Sequence, residues 1–362
     1  MSAPFRARRG WVCGLILFFG LGAGPVHALG PHSSPPGLEQ AVEHLCREAL
    51  LGHDPDPDRI APLIAHVRAQ GDASGGLFRY DDAPGAYQGF AINQPMRRLL
   101  RYLYNPEIPQ ELIKPFSIRS SVWATPGSAE EQRRLWADPW PPAGMVVVRG
   151  EQYDRTTADL STGGCYGMRL KRMLVFVPEE RALLSVSVQS GPSEVGTKGY
   201  LVGRDEDSRY VYSDEEGLTR TGLGWVASRI QTNVSIGVYL DADEGVRCGV
   251  FQWMRAGWSG LSVIKESHIK ASLERYRARI GVVLNAADLP APEDLEALFR
   301  ALDGKSDTQL RREVEPILAG YLAQAEQEKN RTASGILEKG YAQRLDRGEL
   351  IGLMMRERLS AP

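Results

Sequence analysis

The chain has 362 residues, 43% hydrophobic and 24% charged, ordinary values for a globular protein that can bury a core. Its 43 basic and 45 acidic residues leave a formal charge of -2, and this near-balance argues against a nucleic-acid partner, which would need a basic face to neutralise phosphates.

At the amino end, Arg6, Arg8 and Arg9 precede an uncharged run, Trp11 to Gly24, closed by the small-residue motif Val26-His27-Ala28. This pattern predicts a cleavable export signal over residues 1–28. The run is about 14 residues long, short of the roughly 20 that span a bilayer. No later stretch is long and apolar enough, so the mature chain is expected to be soluble and periplasmic or extracellular. Arg8-Arg9-Gly10-Trp11 partly resembles a twin-arginine leader, but Ala7 stands where Ser or Thr is usual, which favours the general secretory route. Cys13 lacks the spacing of a lipoprotein cleavage site. Cutting after Ala28 removes three arginines and no acid, leaving 40 basic against 45 acidic residues, a charge of -5 and a chain of 334 residues. That length suits two domains, or one large domain with a helical appendage.

Residues 29–37, rich in proline and serine, read as a tether. Residues 38–144 read as a helical and irregular amino-terminal region. Leu38, Val42, Leu45, Cys46 and Ala49 recur at helical spacing before Gly52, and a second helix is expected from Pro62 to about Ala69. Between them Asp54, Asp56 and Asp58 alternate as in a calcium loop. Arg59 and Ala65 occupy the positions where that loop needs glycine and an acid, so a capping turn is predicted instead. Residues 71–144 are dense in glycine, proline and aromatics, with one clear helix at Met96 to Tyr104. Its Arg97, Arg98 and Arg101 read as a solvated face more readily than as an anion site.

Residues 145–265 change to an alternating period, which predicts a β-rich domain. Met145 to Val148 is a buried-type strand, and Lys171 to Val177 with Ala182 to Val188 flank a Pro178-Glu179-Glu180-Arg181 turn, a hairpin signal. Further strands are expected at Tyr200 to Val202, Arg209 to Ser213, Asn233 to Leu240 and Arg247 to Met254. The unbroken alternation of Val234, Ile236, Val238 and Leu240 predicts one buried and one open face. Short strands joined by polar turns favour an antiparallel sheet. Residues 266–362 return to helix: His268 to Leu284, Pro292 to Leu302, and a run from Thr308 in which Pro316 predicts a kink or break.

No catalytic motif is complete. Ser259 follows Gly257 but precedes Leu261 where a nucleophile elbow needs glycine, and the Ser-x-x-Lys pairs Ser262/Lys265 and Ser267/Lys270 are at chance level. His44 and Cys46 point to different helix faces, and His53 and His66 complete no zinc pattern, so neither a metal nor a cofactor is expected. The arrangement to weigh is Cys165, in the glycine-rich Ser161-Thr162-Gly163-Gly164-Cys165-Tyr166-Gly167, with His268, the last histidine of the chain. Together they would make a thiol nucleophile and its base. Against that stand a Cys165–Cys248 disulfide in an oxidising compartment and three small buried thiols including Cys46. A binding surface is suggested by Tyr210, Tyr212, Trp225, Trp253, Arg255 and Trp258, with Tyr200 and Tyr239 nearby. Such side chains give large contact areas with polar handles for glycans, lipid head groups or envelope proteins. Core packing explains them equally well.

The sequence thus predicts an α+β protein: a small helical amino-terminal region, an antiparallel β-rich middle domain, and a helical carboxy-terminal region packed on the sheet. A noncatalytic binding or envelope-assembly protein is the leading expectation. A hydrolase or transferase using Cys165 and His268 is the alternative.

Overall fold

The computed structural model describes residues 36–125, 128–159, 162–220, 224–259 and 261–360, with backbone alone at 128, 218–220, 224, 225 and 360. The expected export signal and most of the tether lie outside the described residues.

Helix α1 (Leu38–Leu51) buries the predicted stripe of Leu38, Val42, Leu45 and Cys46 and stops at Gly52, whose φ of 76° only glycine adopts easily. The Asp56 side chain accepts a hydrogen bond from the Asp58 amide, capping α2 (Pro57–Gln70). The helix therefore begins five residues before the expected Pro62, with Pro57 in its first turn.

The stretch 71–144 contains more structure than its composition predicts. A hairpin, β1 (Ser74–Tyr80) and β2 (Ala83–Ile92), turns at Asp81 and Asp82, both at positive φ. Its glycines make room for large neighbours: a Cβ on Gly85 would overlap the Trp253 indole. After it come α3 (Met96–Tyr104), the single turn α4 (Gln110–Ile113), β3 (Ile118–Trp123) and α5 (Ser128–Arg133).

The middle of the chain supplies β4 (Val146–Thr156), β5 (Gly164–Cys165), β6 (Gly167–Val177), β7 (Ala182–Gln189), β8 (Thr197–Leu201), β9 (Tyr210–Glu216), β10 (Leu218–Arg220), β11 (Gly224–Val226), β12 (Arg229–Ala242), β13 (Gly245–Trp258) and β14 (Leu261–Ser262). Among the described residues, a nine-stranded sheet runs in the order β1-β2-β13-β12-β7-β6-β4-β3, with β14 paired to β13. A three-stranded sheet, β5-β8-β9, and the ribbon β10-β11 stand apart from it. Every pairing is antiparallel.

Both faces of the large sheet are covered. Val175, Leu184, Val238, Phe251 and Trp253 pack with α1 and α2, while Phe176, Leu183, Tyr239, Cys248 and Phe90 pack with the helices of the opposite side. This corrects the expectation that Asn233 to Leu240 leaves one face open: both of its residue sets are buried in different cores, the pattern of a strand in the middle layer. The carboxy-terminal helices are α6 (Glu266–Leu284), α7 (Pro292–Asp303), α8 (Asp307–Gln327), α9 (Arg331–Leu337), α10 (Tyr341–Arg344) and α11 (Arg347–Ser360). The predicted break at Pro316 does not occur. Pro316 and Arg312 both lie on the exposed side of α8, where the proline ring meets no packed neighbour.

Candidate functional site

Strand β9 carries Tyr210 and Tyr212 on one face, their rings stacked with centroids 6.4 Å apart. Gly199, the β8 partner of Tyr212, leaves space for that ring, because a Cβ there would stand 2.9 Å from it. Tyr212 is fixed from two sides. Its amide donates to the Tyr341 hydroxyl at 3.1 Å, and the Arg119 guanidinium lies 3.9 Å above its ring centroid, close enough for a cation–π contact.

Arg119 enters from β3 and pairs through Nε with Glu349 at the start of α11. Glu349 in turn accepts the Asp346 amide at 3.1 Å, while its own amide donates to Asp346 at 2.9 Å. Burial alone would lower the pKa of Arg119, but Glu349 and the tyrosines Tyr341 and Tyr212 outweigh it and keep the guanidinium charged. Two turns further along the same face of α11, Arg356 donates to the Ser208 carbonyl at 3.1 Å.

These groups enclose a cavity of about 50 Å³ between β3, β9, α4, α8 and α11, lined also by Glu111 and Tyr321. Burial pushes the Glu111 carboxyl up to about 8, although its own backbone amide and Arg356 pull the other way. Burial thus disfavours ionisation of Glu111 in a lining that also holds two guanidinium groups. The volume holds about three to five waters at about 10–15 Å³ each, or the oxygens of one small anionic group. Burial also holds the Tyr212 and Tyr341 phenols neutral, as hydrogen-bonding groups.

Tyr210 connects this wall to α6. Its hydroxyl donates to Asp205 at 2.7 Å, and Asp205 receives Arg275 at 2.6 Å and Arg279 at 3.1 Å. Burial acts to raise the Asp205 pKa, but the hydrogen bonds from Arg275 and Tyr210 outweigh it.

The three cysteines among the described residues occupy separate surroundings. Cys165 packs with Ala158, Tyr210 and Tyr212, its sulfur 3.1 Å from the Thr197 hydroxyl; Cys248 lies on β13 in the core opposite α1 and α2, and Cys46 lies on α1. All three are free buried thiols. The expected Cys165–Cys248 bridge is therefore not formed, because one sulfur belongs to the small sheet and the other to the interior of the large one. His268 caps α6, its Nδ1 accepting the Lys265 amide at 3.3 Å. Among the described residues no hydrogen bond joins Cys165 to His268.

Of the aromatic residues singled out from sequence, only Tyr210 and Tyr212 line the cavity. Trp253 is fully buried, donating Nε1 to the Phe78 carbonyl at 2.9 Å and packed against Phe78 and Phe251. Arg255 and Trp258 lie toward the end of β13, half-buried, and Trp225 lies on the β10-β11 ribbon with its side chain outside the described residues. Sequence reasoning missed Arg119, Glu111, Glu349 and Arg356. The last two flank the apolar set Leu350, Ile351, Met354 and Met355 of α11, which is the one pattern that could have marked them as inward-facing.

No protein-family model matches the chain, and no curated protein matches it. Among solved structures, the human StarD13 lipid transfer and protein localization domain is similar at 8% identity over 62% of this chain and 94% of that one, with a TM-score of 0.29. An uncharacterised protein from Rhizobium leguminosarum is similar at 11% identity over 59% of this chain and 92% of that one, with a TM-score of 0.23. No helix among the described residues is long and apolar enough to cross a membrane.

Proposed function

We propose that the chain is an exported, noncatalytic binding protein whose cavity at Arg119 and Tyr212 takes a carboxylate or phosphate group, free or as the head of a larger envelope molecule. The observation that carries this reading is the presence of two guanidinium groups, Arg119 and Arg356, in the lining of one cavity, supported by the burial that disfavours ionisation of Glu111 beside them. Hydrogen bonds from a guanidinium to an oxyanion in a partly desolvated site are among the strong ones. Export is supported by the arginines and apolar run before Ala28. A thiol-dependent reaction has less support, since Cys165 is buried against Thr197 and His268 serves as a helix cap.

Calorimetric titration of the full chain with acetate and with inorganic phosphate tests the reading. At least one is expected to bind, with affinity falling tenfold or more in Arg119→Gln and less in Arg119→Lys, which keeps a charge opposite Glu349. Absence of binding by both anions, or equal affinity in Arg119→Gln and the unsubstituted chain, overturns it.

A further inference from the structure

The lining of the cavity at Tyr212 is of two kinds. Arg119 gives its Nε–H to Glu349, which leaves the two amino groups of its guanidinium as donors for a ligand. The Tyr341 hydroxyl accepts the Tyr212 amide at 3.1 Å and keeps its own proton to donate. Against these polar groups stand five aliphatic lining residues, Pro115, Ile118, Leu318, Leu345 and Leu353. Leu318 on α8 and Leu353 on α11 are both buried and belong to one apolar cluster, on helices that pack against each other.

Size limits what such a cavity can take. Its volume of about 50 Å³, at about 10–15 Å³ for each water-sized group, has room for about three to five non-hydrogen atoms. A sugar ring or a long acyl chain exceeds that volume. Inorganic phosphate and a short carboxylate both meet it.

The aliphatic lining separates those two. Phosphate directs its oxygens to all corners of a tetrahedron, so an oxygen that turns toward the leucines gives up water and meets no donor, which costs free energy. A short carboxylate carries both oxygens at one end. Its other end asks for no hydrogen bond, and covering it with leucine is favourable.

On the reading of this cavity as an anion site, we propose that its ligand is a free short-chain monocarboxylate of the acetate or propionate kind, with its oxygens at Arg119 and Tyr341 and its alkyl end against Leu318 and Leu353. The two leucines then determine which chain length is accepted.

The test is calorimetric titration of the full chain with acetate, propionate, pentanoate, hexanoate and inorganic phosphate at pH 7. Acetate or propionate is expected to bind at least tenfold more tightly than hexanoate and phosphate. Leu318→Ala removes part of the aliphatic lining and should raise the affinity for pentanoate relative to propionate tenfold or more. Leu318→Val, a smaller truncation that spares the fold, should move the preference the same way by less. Phosphate binding as tightly as propionate, and still weakened in Arg119→Gln, overturns the carboxylate assignment while leaving the anion site in place. Absence of binding by all five anions overturns both. Hexanoate binding as tightly as propionate to the unsubstituted chain, or an unchanged order of chain lengths in both Leu318 variants, also overturns the proposal, because the alkyl end then lies away from the leucines.

Discussion

Glu111 holds a proton that an exposed glutamate would lose. Its folded pKa of about 8 lies above the ordinary value of 4.5, so between those pH values the folded chain binds a proton that the unfolded chain has released. Stability therefore falls as pH rises from about 4.5 to 8 and levels above that, an effect on the order of a few kcal/mol for one buried carboxyl. Glu111→Gln keeps the shape and removes the titration. Urea unfolding at pH 5, 7 and 9 should show the substituted chain matching the original at pH 5 and exceeding it at pH 9; parallel pH profiles would sink the assignment. The same change has a consequence for binding. Ionised Glu111 adds a negative charge to the cavity lining, so anion affinity should drop as pH passes 8 in the original chain and not in Glu111→Gln.

At the scale of single elements, α11 is shaped by what it packs on. Gly352 faces Glu111 so closely that a Cβ would stand 2.6 Å from its Oε1, a distance that no real Cβ contact sustains. Gly352→Ala should gain about 1 kcal/mol from helix propensity and lose roughly 1–3 kcal/mol to overpacking, a net destabilisation. Gly320 on α8 is the control: nothing lies within 4 Å of its Cβ position, and Gly320→Ala should stabilise by about 1 kcal/mol. Thermal unfolding of the two variants checks both signs. Elements built on strong periodicity were legible in the sequence, as the β6-β7 hairpin, α1, α3 and α7 illustrate. The β1-β2 hairpin was not, because its glycines answer side chains contributed from elsewhere, Trp253 against Gly85 and Glu266 against Gly76, a demand that exists only after folding. The same holds for the site: Tyr210 and Tyr212 stand out by residue type and spacing, whereas Arg119 and Glu349 look like any solvated pair until β3 and α11 meet.

Across the whole molecule, the large sheet separates two cores, and this division decides which aromatic residues can touch a ligand. Trp253 belongs to the core under α1 and α2, with no exposed surface and its indole nitrogen bonded to Phe78. The cavity at Tyr212 lies on the other side. Trp253→Ala removes a large buried side chain and a hydrogen bond, so it should cost about 3–5 kcal/mol. Because interiors are close-packed and relax only partly around a void, the damage should stay on its own side of the sheet. The expected result is a large drop in unfolding midpoint together with unchanged acetate and phosphate affinity, measured well below that midpoint. If Trp253 instead formed part of a ligand surface, as its residue type suggests from sequence, affinity would fall along with stability. Titrating Trp253→Phe, which keeps most of the volume and loses only the indole nitrogen, separates the two: a core residue should leave binding intact in both variants.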